Sequence, residues 1–594
     1  MFIPILLMGG YVGRLFREFA VTLSVAILVS LVVSLTTTPM MCAFLLKGEH
    51  RQKHGRVYRA NEWIFNKILH FYERTLGWVF RHQFIMLIVT IVTIGFTVYL
   101  YIIVPKGFFP QQDTGRLIGT IQADQDASFQ SMQRLMIEFA KTVKEDPAVE
   151  SVIASTGGNR GSTNSGNMFV ALKDPGVRKL SADQVIARLR GKLSRVPGAT
   201  LFLQAVQDIR VGGRPSASQY QFTLQGDELN ELYDWAPKVK DKIGTLHGIV
   251  DVSTDQQVKG LQAKLSVDRV TAGRLGITQQ DVDNTLYDAF GQRQVSTMYT
   301  PLNQYHVVME VDRQFGQNPD ALKSIYLRGK NGTQVPLSAF TKFVPSNTAL
   351  AVNHSGQFPS VTISFNLTPG VSLDEAVTEI KAATHDMGLP AAIHGSFSGA
   401  AQAFEASKAS QPYLIAAALM AVYLVLGMLY ESLIHPITIL STIPSAGVGA
   451  LLALQLCGME LNVIGLIGII LLIGIVKKNA IMMIDFALEA ERNEGKSPVD
   501  AIFQACVLRF RPITMTTMAA LLGGLPLAIG IGSGSELRRP LGITIVGGLI
   551  FSQMLTLYTT PIVYLYLDRL RLWSKRKFHA AASSHTPVPQ SAPI

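Results

Sequence analysis

Long apolar runs separated by polar segments dominate the hydropathy pattern of this 594-residue chain. A helix needs about 20 apolar residues to cross the ~30 Å hydrocarbon core of a bilayer. Runs of that length lie at 20–46, 84–104, 412–430, 436–456, 461–486, 512–531 and 541–567. The pattern therefore predicts seven transmembrane helices that form an all-α membrane bundle.

The region between the second and third predicted spans, residues 105–410, has a different pattern. Short alternating runs indicate strands, and longer amphipathic runs indicate helices. Strands are predicted at 116–123, 149–155, 167–172, 200–206, 219–225, 305–312 and 359–366, and helices at 127–145, 182–195, 228–244, 278–289 and 373–387. Strand–helix–strand units in this order favour an inserted α+β region of ferredoxin-like, split βαβ modules.

Composition and charge agree with a membrane protein and indicate its orientation. Hydrophobic residues make up 48% of the chain and charged residues 16%, against about a quarter charged in ordinary soluble proteins. Most of the net charge of +11 lies beside the apolar runs, so it indicates cytoplasmic loops rather than nucleic-acid binding. The cations concerned are Lys47, Arg51, Lys53, Arg56, Arg59, Lys67, Arg74, Arg81, Arg569, Arg571, Lys575, Arg576 and Lys577.

The cytoplasmic assignment divides the chain into six parts. Residues 1–46 carry one membrane helix, 47–83 form a cytoplasmic loop, and 84–104 cross the membrane again. Residues 105–410 are then periplasmic, 411–570 form a five-helix bundle, and 571–594 are a disordered cytoplasmic tail. Within the first loop, residues 55–80 place Trp63, Ile64 and Ile68 at helical spacing, which favours an amphipathic helix on the inner membrane surface over a solvated helix packed on the bundle.

An internal repeat relates the two ends of the chain. Residues 15–39 recur as 537–561 with eight identical positions, and both copies end in Thr-Thr-Pro. Many transporters consist of two related helical modules. The second copy closes a five-helix module, whereas the first stands alone, so we expect the chain to be the later part of a transporter whose earlier module lies elsewhere.

The costliest residues are charges within the apolar helices. Lys477, Lys478 and Asp485 follow a long apolar run, and an ionisable group deep in a bilayer costs several kcal/mol unless it is paired or reaches the interface. The two lysines either mark the cytoplasmic end of the helix, or one of them faces inward as the counter-charge of a proton relay; the pattern leaves open which one. In the next helix Arg509 and Thr516 share one face, and a simple positive-inside anchor is the alternative for the arginine.

Several separated motifs resemble the resistance-nodulation-division (RND) multidrug efflux permeases. They are GIVKKNAIMMIDFA at 474–487, LRFRPITMTT at 508–517, GRLFREFAVTLSVAILVSLVVSLTTTPMMCAFLL at 13–46 and VPKGFFPQQDTG at 104–115. In addition, AFGQRQVSTMY at 289–299 is similar to the docking subdomain of that family. The likeness extends over about residues 1–570, in the order that the family has.

This resemblance implies roles for individual residues. Lys478 falls on the relay lysine, and Arg509 and Thr516 fall on the relay arginine and threonine. The loop at 156–167 corresponds to one that divides substrate pockets, and a docking subdomain is implied at 263–350. The loop residues concerned are Gly157, Gly158, Asn159, Arg160 and Asn164, and the docking residues are Gln292, Arg293 and Gln294.

The resemblance also implies a function and partners. Such permeases are proton-driven exporters of organic compounds in the bacterial inner membrane, and their trimers join a periplasmic adaptor and an outer-membrane channel. The family keeps its proton-binding aspartate pair on an N-terminal helix that precedes the start of this sequence. The alternative is therefore a subunit that assembles with partner permeases or the adaptor but does not transport.

Other classes of function are disfavoured. The histidines lack metal-ligand spacing, and no phosphate-binding loop or nucleophile motif is found, so neither an enzyme nor an ATP-driven transporter is indicated. No cofactor and no metal are expected.

Overall fold

The computed structural model describes residues 10–45, 55–156, 163–316, 318–532 and 534–583. Helices near both ends of the chain enclose an interhelical region rich in strands. The longer helices outside that region are α1 (Gly10–Leu45), α2 (Arg56–Arg81) and α3 (Gln83–Ile103) before it, and α12 (Ala400–Tyr430), α13 (His435–Leu440), α14 (Ile443–Leu456), α15 (Val463–Glu494), α16 (Pro498–Ile529) and α17 (Ser535–Ser583) after it.

The predicted number of membrane spans is confirmed. In the described part of the chain, seven helical segments are long and apolar enough to cross a bilayer, with α13 and α14 together forming one of them. Two helices are longer than their apolar runs. Helix α12 begins at Ala400 rather than 412, and α17 continues to Ser583, so the predicted disordered tail starts inside a helix. Helix formers on either side of the apolar run extend each helix beyond the part that hydropathy detects.

The interhelical region begins with a four-stranded sheet unit. Its elements are β1 (Arg116–Ala123), α4 (Phe129–Lys144), β2 (Val149–Thr156), β3 (Ser165–Leu172), α5 (Pro175–Arg178), α6 (Ala182–Leu193) and β4 (Ala199–Ala205). The strands lie in the order β2-β3-β1-β4, with antiparallel neighbours. Met132, Met136, Phe139 and Val143 recur at helical spacing and bury one face of α4 against the alternating inward residues of the strands.

A second sheet unit repeats this order of elements around a long insertion. It contains β5 (Tyr220–Gly226), α7 (Leu229–Gly244), β6 (Ile249–Thr254), β13 (His354–Ser355), β14 (Phe358–Leu367), α11 (Leu373–Asp386) and β15 (Ile393–Ser398). Strand β14 pairs with β5 and β6, and β5 also pairs with β15, all antiparallel. The order β6-β14-β5-β15 therefore matches that of the first unit.

The insertion between β6 and β14 has its own small apolar core. Its elements are β7 (Gly260–Val267), α8 (Arg269–Arg274), α9 (Gln279–Phe290), β8 (Arg293–Tyr299), β9 (Gln304–Met309), α10 (Arg313–Gly316), β10 (Tyr326–Arg328), β11 (Gln334–Pro336) and β12 (Thr341–Thr348). Leu327, Leu337 and Phe340 are among the buried residues that hold it together. Its limits, 260–348, fall close to the predicted docking range of 263–350.

Helix α2 has two apolar faces, which explains why its sequence fits both a helix on the membrane surface and a helix packed on the bundle. On one face Tyr72 is buried, stacks on Phe510 with ring centroids 4.5 Å apart, and donates a hydrogen bond of 3.0 Å to the carbonyl of Leu557. On the other face Trp63 and Phe71 remain 64% and 67% exposed. The helix therefore packs on the bundle and still presents aromatic side chains outward.

Small residues allow the membrane helices to approach closely. A Cβ atom on Gly449 of α14 would lie 2.4 Å from the carbonyl oxygen of Gly547 and 2.6 Å from Cβ of Phe551, both on α17. Gly547 is similarly confined by Ala453. Close backbone approach at small residues is a general means of packing helices in lipid, where dispersion contacts replace the hydrophobic effect.

We predict that Gly449→Ala destabilises the bundle, because the new methyl group must displace backbone atoms of α17. Overpacking of this kind costs about 1–3 kcal/mol. Gly523→Ala on α16 is the matched control, since nothing lies within 4 Å of its added Cβ. Thermal unfolding of the detergent-solubilised protein should show a lower Tm for Gly449→Ala only; equal Tm values for the two variants would contradict the packing argument.

Candidate functional site

The three predicted relay residues lie on two antiparallel helices. Lys478 is on α15, and Arg509 and Thr516 are on α16. Asn479 contacts Thr517, while Phe486 contacts Arg509, so residue numbers increase in opposite directions along the two helices. Lys478 precedes Asn479 and Thr516 precedes Thr517, so Lys478 and Thr516 are at about the same depth in the bundle.

The structure does not bring these three side chains into direct contact. The ammonium of Lys478 is exposed, and within the described ranges it has no hydrogen bond or ion pair, whereas Lys477 is half-buried. The Arg509 guanidinium lies over the Phe486 ring, 4.1 Å from its centroid. The Thr516 hydroxyl donates to the carbonyl of Ile513 at 3.1 Å. The relay roles of the three residues stay a prediction, and no carboxylate among the described residues pairs with Lys478.

A buried polar cluster that the sequence analysis missed lies beside Lys478 and Thr516. The Asn479 amide donates to the Thr517 hydroxyl at 3.1 Å and to Oε1 of Gln553 on α17 at 3.4 Å. The Thr517 hydroxyl donates to the same Gln553 oxygen at 2.7 Å. We call Asn479, Thr517 and Gln553 the three-helix cluster. The only signal in the sequence was an amide or hydroxyl within each apolar run.

Asp485 has a partner other than the lysines. The hydroxyl of Tyr430, at the end of α12, donates a hydrogen bond to the Asp485 carboxylate. Lys478 and Asp485 are about two turns apart along α15, which is too far for a direct contact.

A cavity of about 360 Å³ lies where the two sheet units meet the helices. The first unit contributes Asp183 and Arg190 from α6, and the second contributes Tyr220 from β5. The loop between α14 and α15 contributes Glu460, and Glu536 and Arg539 come from the start of α17. Arg190 also joins the units, because its Nε and Nη2 atoms donate to Asp251 at 2.8 and 2.5 Å.

The cavity holds carboxylates that lack cationic partners. Across the described ranges, neither Asp183, Glu460 nor Glu536 forms an ion pair within 4.0 Å. Burial raises the pKa of Glu460 from its ordinary value of 4.5 to about 7. Burial, and secondarily the charge of Asp113, also raises the pKa of Asp183. This site could not be predicted from the sequence, since its residues are far apart along the chain.

A second cavity of about 370 Å³ adjoins the first and is almost entirely apolar. It lies between α14, α16 and α17, and Leu456, Ile543 and Phe551 are among its walls. Arg539 borders both cavities. A charged cavity and an apolar cavity therefore lie on either side of this arginine.

The predicted substrate-path loop is described only in part. Gly157, Gly158, Asn159 and Arg160 lie outside the described residues. Asn164 is 2% exposed, and its carbonyl accepts a hydrogen bond of 2.9 Å from the amide of Ala123. Asn164, predicted to belong to the substrate-path loop at 156–167, is a buried residue just before β3.

The predicted docking residues begin an exposed hairpin formed by β8 and β9. Gln292 has a left-handed backbone (φ 51°) at the turn from α9 into β8. Arg293 forms an ion pair of 2.6 Å with Asp288, and Gln294 donates to the Thr297 hydroxyl at 2.7 Å. These bonds fix the base of the hairpin, while Leu302 at its tip is 99% exposed.

Together, the seven long apolar helices and the antiparallel sheet units define a multi-pass membrane protein with a β-rich region between its second and third spans. Residues 1–568 match the AcrB/AcrD/AcrF family. The chain therefore belongs to this family of RND multidrug efflux permeases, and the resemblance stated from its motifs is confirmed.

Individual relatives are similar over nearly the whole chain. Multidrug resistance protein MdtC of Cronobacter sakazakii (strain ATCC BAA-894) is 56% identical over 576 residues, which are 97% of this chain and 56% of that protein. The MdtC proteins of Yersinia enterocolitica and Yersinia pestis bv. Antiqua (strain Angola) are each 56% identical over 570 residues, covering 96% of this chain and 55% of theirs. The chain thus spans about half the length of the curated relatives it matches.

We predict that the stability of the protein falls with rising pH because of Glu460. Its pKa is higher in the folded state, so the folded protein binds more protons than the unfolded chain between about pH 4.5 and 7. The stabilisation is complete below the unfolded pKa and is lost as pH rises through about 7. Glu460→Gln should remove this loss, which is at most about 3 kcal/mol.

The measurement is Tm of the solubilised protein from pH 5 to 8. Glu138→Gln, at an exposed position of α4, is the control and should follow the unsubstituted protein. If Glu460→Gln shows the same pH profile as the control, burial of this carboxyl does not govern the profile.

Proposed function

We propose that this chain is part of a proton-driven exporter of organic compounds in the bacterial inner membrane. The observation that carries the proposal is the position of Lys478, an ammonium within an apolar helix that is exposed on the side of the bundle and level with Thr516. An isolated ammonium at this depth costs several kcal/mol. A nearby carboxylate offsets this cost when it is ionised and does not when it is protonated. Whether the lysine is paired therefore depends on the protonation state of that carboxylate.

The carboxylates that the family resemblance implies would reach Lys478 from another part of the assembly. Lys478 lies on a face that the described helices leave open, which suits such a partner. Arg509 and Thr516 would then act on the same relay from α16. Energy for transport comes from the proton gradient in this proposal, because protonation of the partner releases Lys478.

The two sheet units would be the periplasmic porter subdomains. Each has the element order β-α-β-β-α-β, and the strand orders β2-β3-β1-β4 and β6-β14-β5-β15 support a ferredoxin-like fold for both. The cavity at their base would form part of the substrate path. Its carboxylates, its aromatic wall and the adjoining apolar compartment suit organic compounds that combine a polar group with an apolar body.

The remaining surfaces suit the predicted partners. The outward aromatic face of α2 carries Trp63 beside Lys67, whose ammonium lies 5.0 Å from the ring centroid, and this pairing suits a helix on the cytoplasmic lipid surface. The exposed β8–β9 hairpin would dock neighbouring subunits of a homo- or hetero-trimer. The periplasmic adaptor and the outer-membrane channel would complete the export path.

We predict that Lys478→Met abolishes proton-coupled efflux, because methionine keeps the length of the side chain but removes its charge. Lys477→Met is the matched control and should keep most of the activity, since the side chain of Lys477 is half-buried whereas that of Lys478 is exposed. Efflux of a fluorescent dye is measured in cells that express the chain with the rest of its native assembly, with and without an uncoupler.

Full efflux by Lys478→Met would refute the relay role. The unsubstituted assembly could also show no efflux while its partners co-purify normally. That result would favour the alternative of a subunit that assembles without transporting.

We further predict that charge at the hairpin tip weakens subunit docking. Leu302→Asp places a carboxylate where an apolar contact is proposed, whereas Val177→Asp changes an equally apolar residue, 69% exposed on the first sheet unit. Native mass spectrometry should show fewer trimers for Leu302→Asp alone. Unchanged trimers would exclude this hairpin from the interface.

A further inference from the structure

The three-helix cluster joins α15, α16 and α17 through one acceptor atom. Oε1 of Gln553 accepts hydrogen bonds from both Asn479 and Thr517, which also bond each other. Asn479 and Thr517 are 6% and 5% exposed. Gln553 is therefore the point at which α17 fixes the rotation of its two neighbours.

This arrangement determines where the two relay residues point. Successive side chains on an α-helix are separated by about 100°. Because Asn479 faces α16 and α17, Lys478 must turn about 100° away from them, toward the open face where it is exposed. Thr516 is displaced in the same manner from Thr517 on α16.

The observed rotational setting gives the Asn479 amide and the Thr517 hydroxyl their hydrogen-bond partners. A rotated α15 would leave the Asn479 amide among apolar side chains, and a buried amide without a hydrogen bond costs at least about 1–3 kcal/mol. Hydrogen bonds between membrane helices contribute on average about 0.6 kcal/mol each. The cluster thus favours the observed setting over neighbouring ones, which apolar contacts alone distinguish poorly.

We propose that Gln553 is a positioning residue of the proton relay: through Asn479 and Thr517 it sets the rotation of α15 and α16 that presents Lys478 and Thr516 at the same depth. The effect on the relay depends on the proposed function, whereas the effect on rotation does not.

A neighbouring group of hydroxyls provides a matched control. Ser552, the residue before Gln553, bonds Thr556 at 3.1 Å, and Thr556 contacts Ser445 of α14 at 3.4 Å. Ser552→Ala therefore removes a buried hydrogen bond from α17 without touching α15 or α16. Gln553→Met keeps the side-chain volume and removes the acceptor, while Gln553→Glu keeps a carboxyl oxygen in its place.

The first experiment measures rotation directly and needs no transport. Lys478→Cys is made in a background with Cys42, Cys457 and Cys506 replaced, and a nitroxide is attached in the purified native assembly. Gln553→Met should change the collision rates of the nitroxide with oxygen and with a water-soluble nickel chelate, while Ser552→Ala should not. Identical rates for the two variants would overturn the proposal.

The second experiment measures the consequence for the relay. With Lys478 intact, Gln553→Met should lower proton-coupled efflux about three- to ten-fold, which corresponds to one or two such hydrogen bonds, and should shift its pH profile. Gln553→Glu should retain more activity than Gln553→Met at low pH, where the introduced carboxyl is neutral, and Ser552→Ala should keep the parent profile. A pH profile unchanged in Gln553→Met would overturn the link to the relay.

The two readouts separate this proposal from the proposed function. If the parent assembly shows no proton-coupled efflux, the proposed function fails, and the nitroxide measurement alone then decides whether Gln553 positions α15.

Discussion

The constraint on which this structure depends is that a polar group within a bilayer must find its partner inside the protein. Backbone groups satisfy it by forming helices. Side chains satisfy it by bonding across helices, as Asn479, Thr517 and Gln553 do, and as Tyr430 does with Asp485. Lys478 departs from this pattern as a whole charged side chain, because no partner for it lies among the described residues. The cost of an unpaired charge in a bilayer is what makes Lys478 informative about function.

The same constraint acts differently where the helices meet the sheet units. Glu460 is in a loop, near enough to the surface to keep some contact with water, and yet burial raises its pKa to about 7. A carboxyl group with this pKa is partly protonated near neutral pH, and in its neutral form it needs no cation to offset its burial. Together with Asp183, whose pKa burial also raises, it gives the polar cavity a charge that changes with pH, whereas the lining of the second cavity is almost entirely apolar.

The sequence predicted the elements well and their contacts poorly. Seven spans and the principal helices of the interhelical region were visible because hydropathy and periodicity are local properties. The three-helix cluster and the cavity were not visible, since each depends on the register between helices or between sheet units that are distant in the chain. Asn164 shows the same limit: the sequence indicated only that it lies in the loop at 156–167, and its burial depends on contacts with β1, which is distant in the chain. Lys478 could be singled out because the free-energy cost of a charge in an apolar helix is evident from the sequence of that helix alone.

The membrane helices and the sheet units are joined by backbone hydrogen bonds at the very start of α15. The amide of Val463 donates to the carbonyl of Phe108 at 3.0 Å, and the amide of Leu461 donates to that of Pro105 at 2.8 Å. Between these two residues, the carbonyl of Lys106 accepts a hydrogen bond of 3.2 Å from the amide of Asp374, in the first turn of α11. Phe108 is buried in a core shared by the second sheet unit, α1, α12 and α15. Since α15 also carries Lys478, an axial displacement of this helix must either break these bonds or move residues 105–108 with it. Residues 105–108 therefore link α15, the helix that carries Lys478, to the second sheet unit through backbone hydrogen bonds and a shared apolar core.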